Sequence, residues 1–324
     1  MIKFMKKKEK NKNPIQPVSG TKVPRFAGPS TFARLPEMRD VRSCDVAIVG
    51  IPFDAGTSYR PGARFGPQSI RQASRHLRTN YHPNYDIEPF KVQQVADAGD
   101  IVCNPFNINE AIQQIEKGAL DLLNKVGGII SMGGDHTIAF PLLKAVNKIN
   151  KGPVALVHFD AHLDTWDTYF GAPYTHGTPF RRAREENLFL DNASMHVGIR
   201  GPLYSPEDLK NDAEFGFKII HCDQFQTEGI DKIVKRIRDR VGNNPLYLSI
   251  DIDVLDPAFA PGTGTPEVAG MTTREIVNVI RGLSGLNLIS ADVVEVAPAY
   301  DHAEVTSLAA ATIVYELTNL FAKV

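Results

Sequence analysis

The sequence is short of several things, and each shortage excludes a class of protein. It has three cysteines in 324 residues, Cys44, Cys103 and Cys222, scattered along the chain. An odd, dispersed set argues against a disulfide framework and against a thiolate metal site. It fits a reducing compartment, so a cytoplasmic location is expected. No apolar run approaches the ~18 residues a membrane-spanning helix needs, and the N-terminus lacks the apolar stretch of a secretory leader. Net charge is nearly absent: 36 Lys and Arg against 37 Asp and Glu leave −1. Neither a nucleic acid nor a membrane is therefore an expected partner. No phosphate-cradling loop of the P-loop type occurs.

What is present is an alternation. Residues 1 to about 20 are polar and Lys-rich (Lys6, Lys7, Lys8, Lys10, Lys12), and Pro- and Gly-containing segments continue to residue 44. This stretch reads as an N-terminal arm, its first 20 or so residues a disordered, solvated tail rather than a docking arm. Buried strands are expected at 44–50 (CDVAIVG), 127–134, 154–160, 194–200, 217–222, 246–253 and 288–296. Helices are expected at 109–126, 138–149, 230–241, 272–283 and from about 304 to 321. Pro141 suits the first turn of the second. Continuous apolar strands alternating with helices predict an α/β fold: one domain over 45–324, three layers, with a mainly parallel central sheet.

Ligands of such sheets collect beyond the carboxyl ends of the strands. The notable polar residues sit there. Asp135 and His136 follow one strand, Asp160, His162 and Asp164 another, Asp251 and Asp253 a third, and Glu295 a fourth. Alternation along SIDIDVLDP (249–257) predicts Asp251 and Asp253 on one strand face, about 6–7 Å apart. His136, Asp160, His162, Asp164, Asp251 and Asp253 combine two imidazoles with four carboxylates, a set that repels itself without cations. Two divalent ions would neutralise it. An oxygen-rich set with imidazole and no thiolate favours Mn²⁺, with zinc and nickel open. Two such ions can make a water nucleophilic near neutral pH, so the expectation is metal-assisted hydrolysis.

GGDH (133–136), DAHLD (160–164) and SIDIDVLDPAFAPGTGTP (249–266) resemble the three signature segments of the ureohydrolases, the family of arginases, agmatinases and related guanidino-compound hydrolases. GIPFDAGTSYRPGARFGPQSIR (50–71) and VVEVAPAYD (293–301) are similar to further family segments. The resemblance implies an arginase-like fold, a centre of two Mn²⁺, and a homotrimer or homohexamer. It implies that His136, Asp160, Asp164 and Asp251 hold one ion and Asp160, His162, Asp251 and Asp253 the other. It gives Glu295 the substrate guanidinium, Asp164 a proton from the nucleophile, and His176 of YTHGTPF (174–180) a proton for the leaving amine. His158 of the same strand falls outside the implied ligand set and is expected to be satisfied by the protein.

The region 165–183 departs from the arginases and resembles the agmatinase, guanidinobutyrase and proclavaminate amidinohydrolase branch. Agmatine, giving putrescine and urea, is the expected substrate; guanidino acids such as 4-guanidinobutyrate or 3-guanidinopropionate, or free guanidine, are the alternatives. A non-catalytic metal-binding scaffold is the remote one, disfavoured because no ligand, glutamate or histidine is missing. Asp167, Glu207 and Asp208 compete with Arg181, Arg182 and Arg200 to meet the substrate tail. Loop 53–67 either walls the pocket or only shapes a turn, and Trp166 either stacks on a cation or packs. Arg181 and Arg182 read as a solvated or subunit-contact pair, and helix 230–241 as a charged, solvated face.

Overall fold

The computed structural model describes residues 13–322. The Lys-rich segment expected to be disordered lies largely outside them. Eight strands, β1 (Val46–Ile51), β2 (Val95–Asp100), β3 (Gly128–Gly133), β4 (Ala155–Phe159), β5 (Met195–Ile199), β6 (Lys218–His221), β7 (Leu246–Asp251) and β8 (Leu288–Val294), form one sheet. Its order is β2-β1-β3-β8-β7-β4-β5-β6, and every strand pairing within it is parallel.

The apolar strands are buried on both faces because helices cover both. Within β1, Val46 and Ile48 enter one core, while Ala47 and Val49 enter the other. The first core is closed by helices Gly66–Ala73, Ile230–Val241, Thr273–Gly282 and Val305–Phe321. The second is closed by helices Ile108–Leu123, Ala139–Asn150 and Pro179–Glu185. Helix Ile108–Leu123 starts where the Asn107 side chain accepts the Glu110 N–H, and it buries Ala111, Ile112, Ile115, Ala119 and Leu123. Each fully buried Ile or Leu contributes ~2 kcal/mol by removing apolar surface from water. Helix Ile230–Val241 buries Ile233, Ile237 and Val241, but its charged face is not simply solvated: Arg238 donates to the carbonyls of Gly282 and Ser284, and Arg240 to those of Ser194, Asp191 and Gly216.

The expected elements are present, most with ends shifted by one to three residues. Strand β2 was not expected, since VADAGD carries two acids. The helices Gly66–Ala73, Pro179–Glu185 and Glu207–Glu214 were also missed; each is short, and two begin with proline or glycine. Before β1, residues 13–44 lie against the sheet edge. The Ile15 N–H donates to Gln94 Oε1 at 2.7 Å, and Phe32 and Leu35 are buried. No helix of the described residues is long and apolar enough to cross a membrane. Cys44, Cys103 and Cys222 are all unbridged.

Candidate metal centre and the cavity above it

Four neighbouring strands at the middle of the sheet, β3, β8, β7 and β4, end beneath one site. Three of them end in the same local device. Asp135 accepts the Thr137 N–H at 3.0 Å, Asp160 the His162 N–H at 2.6 Å, and Asp251 the Asp253 N–H at 2.8 Å. An aspartate that bonds the backbone two residues on turns the chain. This corrects the strand-alternation expectation. Strand β7 stops at Asp251, and Asp253 lies in the 3₁₀ turn Ile252–Val254. Strand β4 stops at Phe159, so Asp160, His162 and Asp164 belong to the segment after it, with Asp164 at φ +56°. Turns, not the pleat, bring these side chains together.

The six predicted residues do converge. His136 Nδ1 lies 3.2 Å from Asp160 Oδ2, 2.9 Å from Asp164 Oδ2 and 3.3 Å from Asp251 Oδ2. His162 Nδ1 lies 3.3 Å from Asp160 Oδ1 and 3.1 Å from Asp253 Oδ2. Asp160 therefore faces both imidazoles. Behind His136, Ser249 Oγ sits 2.9 Å from Nε2 and donates to Asp292 Oδ1 at 2.8 Å. With its own proton committed to Asp292, Ser249 must accept from His136 Nε2–H. In the neutral imidazole Nδ1 is then a lone pair facing three carboxylate oxygens, with no aligned hydrogen bond. A shared cation satisfies such a cluster of acceptors, so the residues fit a divalent ion. Two overlapping groups could hold ions: His136, His158, Asp160 and Asp164, and Asp160, His162 and Asp253. His158 belongs by distance only. Its Nε2 is 2.7 Å from Asp160 Oδ2 and its Nδ1 is 2.7 Å from His196 Nδ1, so both nitrogens are engaged.

The electrostatics reflect the same crowding. Burial, then the charges of Asp253 and Asp160, hold the Asp251 carboxyl well above the usual carboxylate range. Burial, then Asp160, push Asp253 to about 6. Burial would raise Asp160, but His158, His136 and His162 outweigh it and hold it well below its ordinary value. Burial likewise pulls His136 and His162 down, yet the surrounding acids lift both well above the usual imidazole range. His158 goes the other way, to about 3, because burial dominates.

Glu295 follows β8 at φ +66° and is 1% exposed. Its Oε1 accepts the His136 N–H at 2.9 Å and lies 3.0 Å from His176 Nδ1, while Oε2 is buried with no partner. His176 Nε2 meets Ser58 Oγ at 2.7 Å, so the imidazole bridges the centre and the 53–67 loop. Gly56 of that loop donates to Asp135 Oδ2 at 2.7 Å; a Cβ there would fall 2.1 Å from Thr137 Oγ1. Only glycine lets the loop lie this close to the strand end.

The family model described as the arginase family matches residues 44–319. The chain belongs to the arginase family. It is 44% identical to guanidinopropionase of Pseudomonas aeruginosa, covering 95% of this chain and 96% of that one. It is 40% identical to the mitochondrial agmatinase of Gallus gallus, over 93% and 88% of the two chains. Proclavaminate amidinohydrolase from Streptomyces clavuligerus superposes with a TM-score of 0.88 at 40% identity, covering 93% and 99%. This arginase-family chain is thus a ureohydrolase, an enzyme that hydrolyses guanidino compounds.

Above the ureohydrolase centre opens a cavity of ≈ 550 Å³, with His162, Asp164, His176 and Asp251 at its floor. Ser58, Tyr59 and Arg60 form one wall, so the 53–67 loop does wall the pocket. Trp166, Tyr169 and Tyr204 form another, with Tyr169 Oη 2.7 Å from Tyr204 Oη. Trp166 both lines the cavity and packs on Gly177. The residues expected to compete for the substrate tail do not line it. Arg182 pairs with Asp167 at 2.6 Å, and Arg181 pairs with Glu185 at 3.1 Å. Arg200 donates to six backbone carbonyls, and Glu207 and Asp208 begin a surface helix. The charged wall residues are instead Arg60 and Glu267, which sequence spacing gave no reason to single out.

Proposed function

We propose that the chain is a binuclear-metal hydrolase that converts agmatine to putrescine and urea. The observation that carries the metal reading is His136 Nδ1 surrounded by oxygens of Asp160, Asp164 and Asp251 within 3.3 Å. On this reading His136, Asp160, Asp164 and Asp251 hold one ion, and Asp160, His162, Asp251 and Asp253 the other. Mn²⁺ suits this mixed oxygen and imidazole set, with nickel or another divalent ion as the alternative. Bound there, the ions supply a water ionised near neutral pH.

The chain's own groups do the rest. Asp164, on the cavity floor, takes the proton of the attacking water. Glu295 grips the guanidinium through Oε2, the oxygen without a partner, while Oε1 stays with His136 and His176. A carboxylate–guanidinium contact of this kind is charge-assisted and directional. Burial lowers the His176 pKa, but the Glu295 charge and hydrogen bond outweigh it and raise it to about 9. We give His176 the role of handing a proton to the departing amine, with its Nδ1 facing Glu295 and its Nε2 facing the Ser58 N–H and hydroxyl. The bond between the guanidino carbon and the chain nitrogen breaks, a carbon–oxygen bond forms, and urea leaves.

Agmatine's cationic tail suits the aromatic wall of Trp166, Tyr169 and Tyr204 beside Glu267. A guanidino acid is favoured by one observation: Arg60 lines the same cavity and has no carboxylate partner among the described residues. Release of urea from Mn²⁺-loaded protein should be assayed with agmatine, 4-guanidinobutyrate, 3-guanidinopropionate, arginine and guanidine. Fastest turnover of agmatine is expected; no urea from any of them sinks the hydrolase reading. We further propose residues 45–324 as one catalytic unit behind the N-terminal arm, acting in the cytoplasm. A homotrimeric or homohexameric assembly is the one that the family resemblance implies.

A further inference from the structure

Helix Glu207–Glu214 buries one residue, Asp212. Asp212 is fully buried, while Leu209 on the same helix is 38% exposed. Turning a leucine outward and a carboxylate inward gains nothing from packing. Burying an unpaired carboxylate costs several kcal/mol, so the explanation must lie in its partners.

Asp212 has two arms. Its Oδ1 accepts from Thr165 Oγ1 at 2.8 Å, and Thr165 follows Asp164 in the chain. Its Oδ2 lies 3.0 Å from His196 Nε2. His196 Nδ1 lies 2.7 Å from His158 Nδ1, and His158 Nε2 lies 2.7 Å from Asp160 Oδ2. Asp212, His196, His158 and Asp160 are all wholly buried. We infer that Asp212 is a positioning residue of the metal centre: it holds the segment that follows Asp164 through the hydroxyl of Thr165, and it backs the His196–His158 pair that meets Asp160. This rests on the metal reading proposed above.

The geometry orders the protons along the chain. His158 Nε2 faces a carboxylate, so it carries the hydrogen. In the neutral imidazole its Nδ1 is then a lone pair, and His196 Nδ1–H must donate to it. His196 Nε2 lies 3.0 Å from Asp212 Oδ2 without an aligned hydrogen bond, so Asp212 backs the His196 ring by close contact, and its aligned bond is the one from Thr165 Oγ1. The relay crosses three elements: helix Glu207–Glu214, β5 with His196, and β4 with His158. Phe180 and Phe217 pack on the two imidazoles, with centroids at 4.3 Å and 3.9 Å, and keep water out. The same helix also holds the cavity wall, because Asp208 Oδ2 accepts the Tyr204 N–H at 3.2 Å. One short helix thus ties the wall to the centre.

The test uses the full chain and Mn²⁺ alone, titrated in competition with a chromophoric chelator. Asp212→Asn is expected to weaken binding of at least one of the two ions by about 10–100-fold, the usual effect of losing an outer-shell partner. At saturating Mn²⁺, kcat should fall while KM stays near wild type, because Asp212 does not line the cavity. Thr165→Val should give a smaller loss of affinity, and Leu209→Ser on the exposed face none. Should Asp212→Asn fail to fold, His196→Phe keeps the ring on Phe217 and breaks the relay, and the same loss is expected of it. Wild-type Mn²⁺ affinity in a folded Asp212→Asn, or in His196→Phe, overturns the inference. A wild-type chain that takes up no Mn²⁺ overturns the metal reading instead, so the two failures are distinguishable.

Discussion

Chelating the metal should make the protein's stability depend on pH in a particular direction, and His176 contributes a definable part of the effect beside His136, His162 and Asp251, which are raised in the same sense. Its folded-state pKa is about 9 against an ordinary 6.5; burial pulls it down, and Glu295, helped by Asp164 and Asp135, lifts it. A base whose pKa is raised on folding contributes stability that is complete below 6.5 and lost as pH rises through 9. At 1.36 kcal/mol per pH unit, the interval from 6.5 to about 9 corresponds to about 3 kcal/mol. Asp135, raised to about 7 by burial and then by Glu295, adds a loss of the same sign at the lower end of this window. His158, lowered to about 3, completes its opposite contribution by pH 6.5, so it does not cancel the fall. Metal-stripped protein, unfolded by heat at pH 6.5, 7.5 and 9, should lose about 5 °C across the series from His176 alone, with His136, His162 and Asp251 adding to the fall. His176→Asn should remove its own share of that slope, and Mn²⁺ should reduce the whole by replacing protons with cations. A Tm that is constant or rises from pH 6.5 to 9 in the stripped protein would refute the reasoning.

Three further outcomes follow from named contacts. Ser249→Ala orphans both His136 Nε2 and Asp292 Oδ1, each buried, and should cost ~1–3 kcal/mol of stability in denaturant titration, with weaker Mn²⁺ binding. Gly56→Ala drives a Cβ into Thr137 Oγ1, so the 53–67 loop must move; urea release should drop while secondary structure by circular dichroism is kept. Arg60→Gln and Glu267→Gln should move tail preference in opposite directions: loss of Arg60 should raise KM for guanidino acids, and loss of Glu267 should raise it for agmatine. Equal effects on both substrate classes would remove these residues from tail recognition.

Much of this was legible in the residues themselves. The apolar strands closed by Gly50, Gly133 and Gly134 announced a buried parallel sheet, because period and length both pointed there. His136, Asp160, His162, Asp164, Asp251 and Asp253 are brought together as the three signature segments implied. Strand alternation does not account for Asp251 and Asp253: an aspartate turn places them. Asp212 left no trace in the sequence, since its helix reads as an ordinary charged surface turn and its partners lie in distant segments. Arg60 and Glu267 escaped for a similar reason. Which charge faces a cavity depends on how loops pack, and local pattern says nothing about that.

The sheet order has a consequence for assembly. Strand β8 lies between β3 and β7, both of which precede it in the chain. Until β8 is inserted, β3 and β7 cannot take up their final spacing, and His136 cannot approach Asp251. A growing chain therefore carries most of the ligand-type residues long before it can present them as a centre. The cluster is completed only by a late strand, which carries Asp292 within it and leads directly into Glu295.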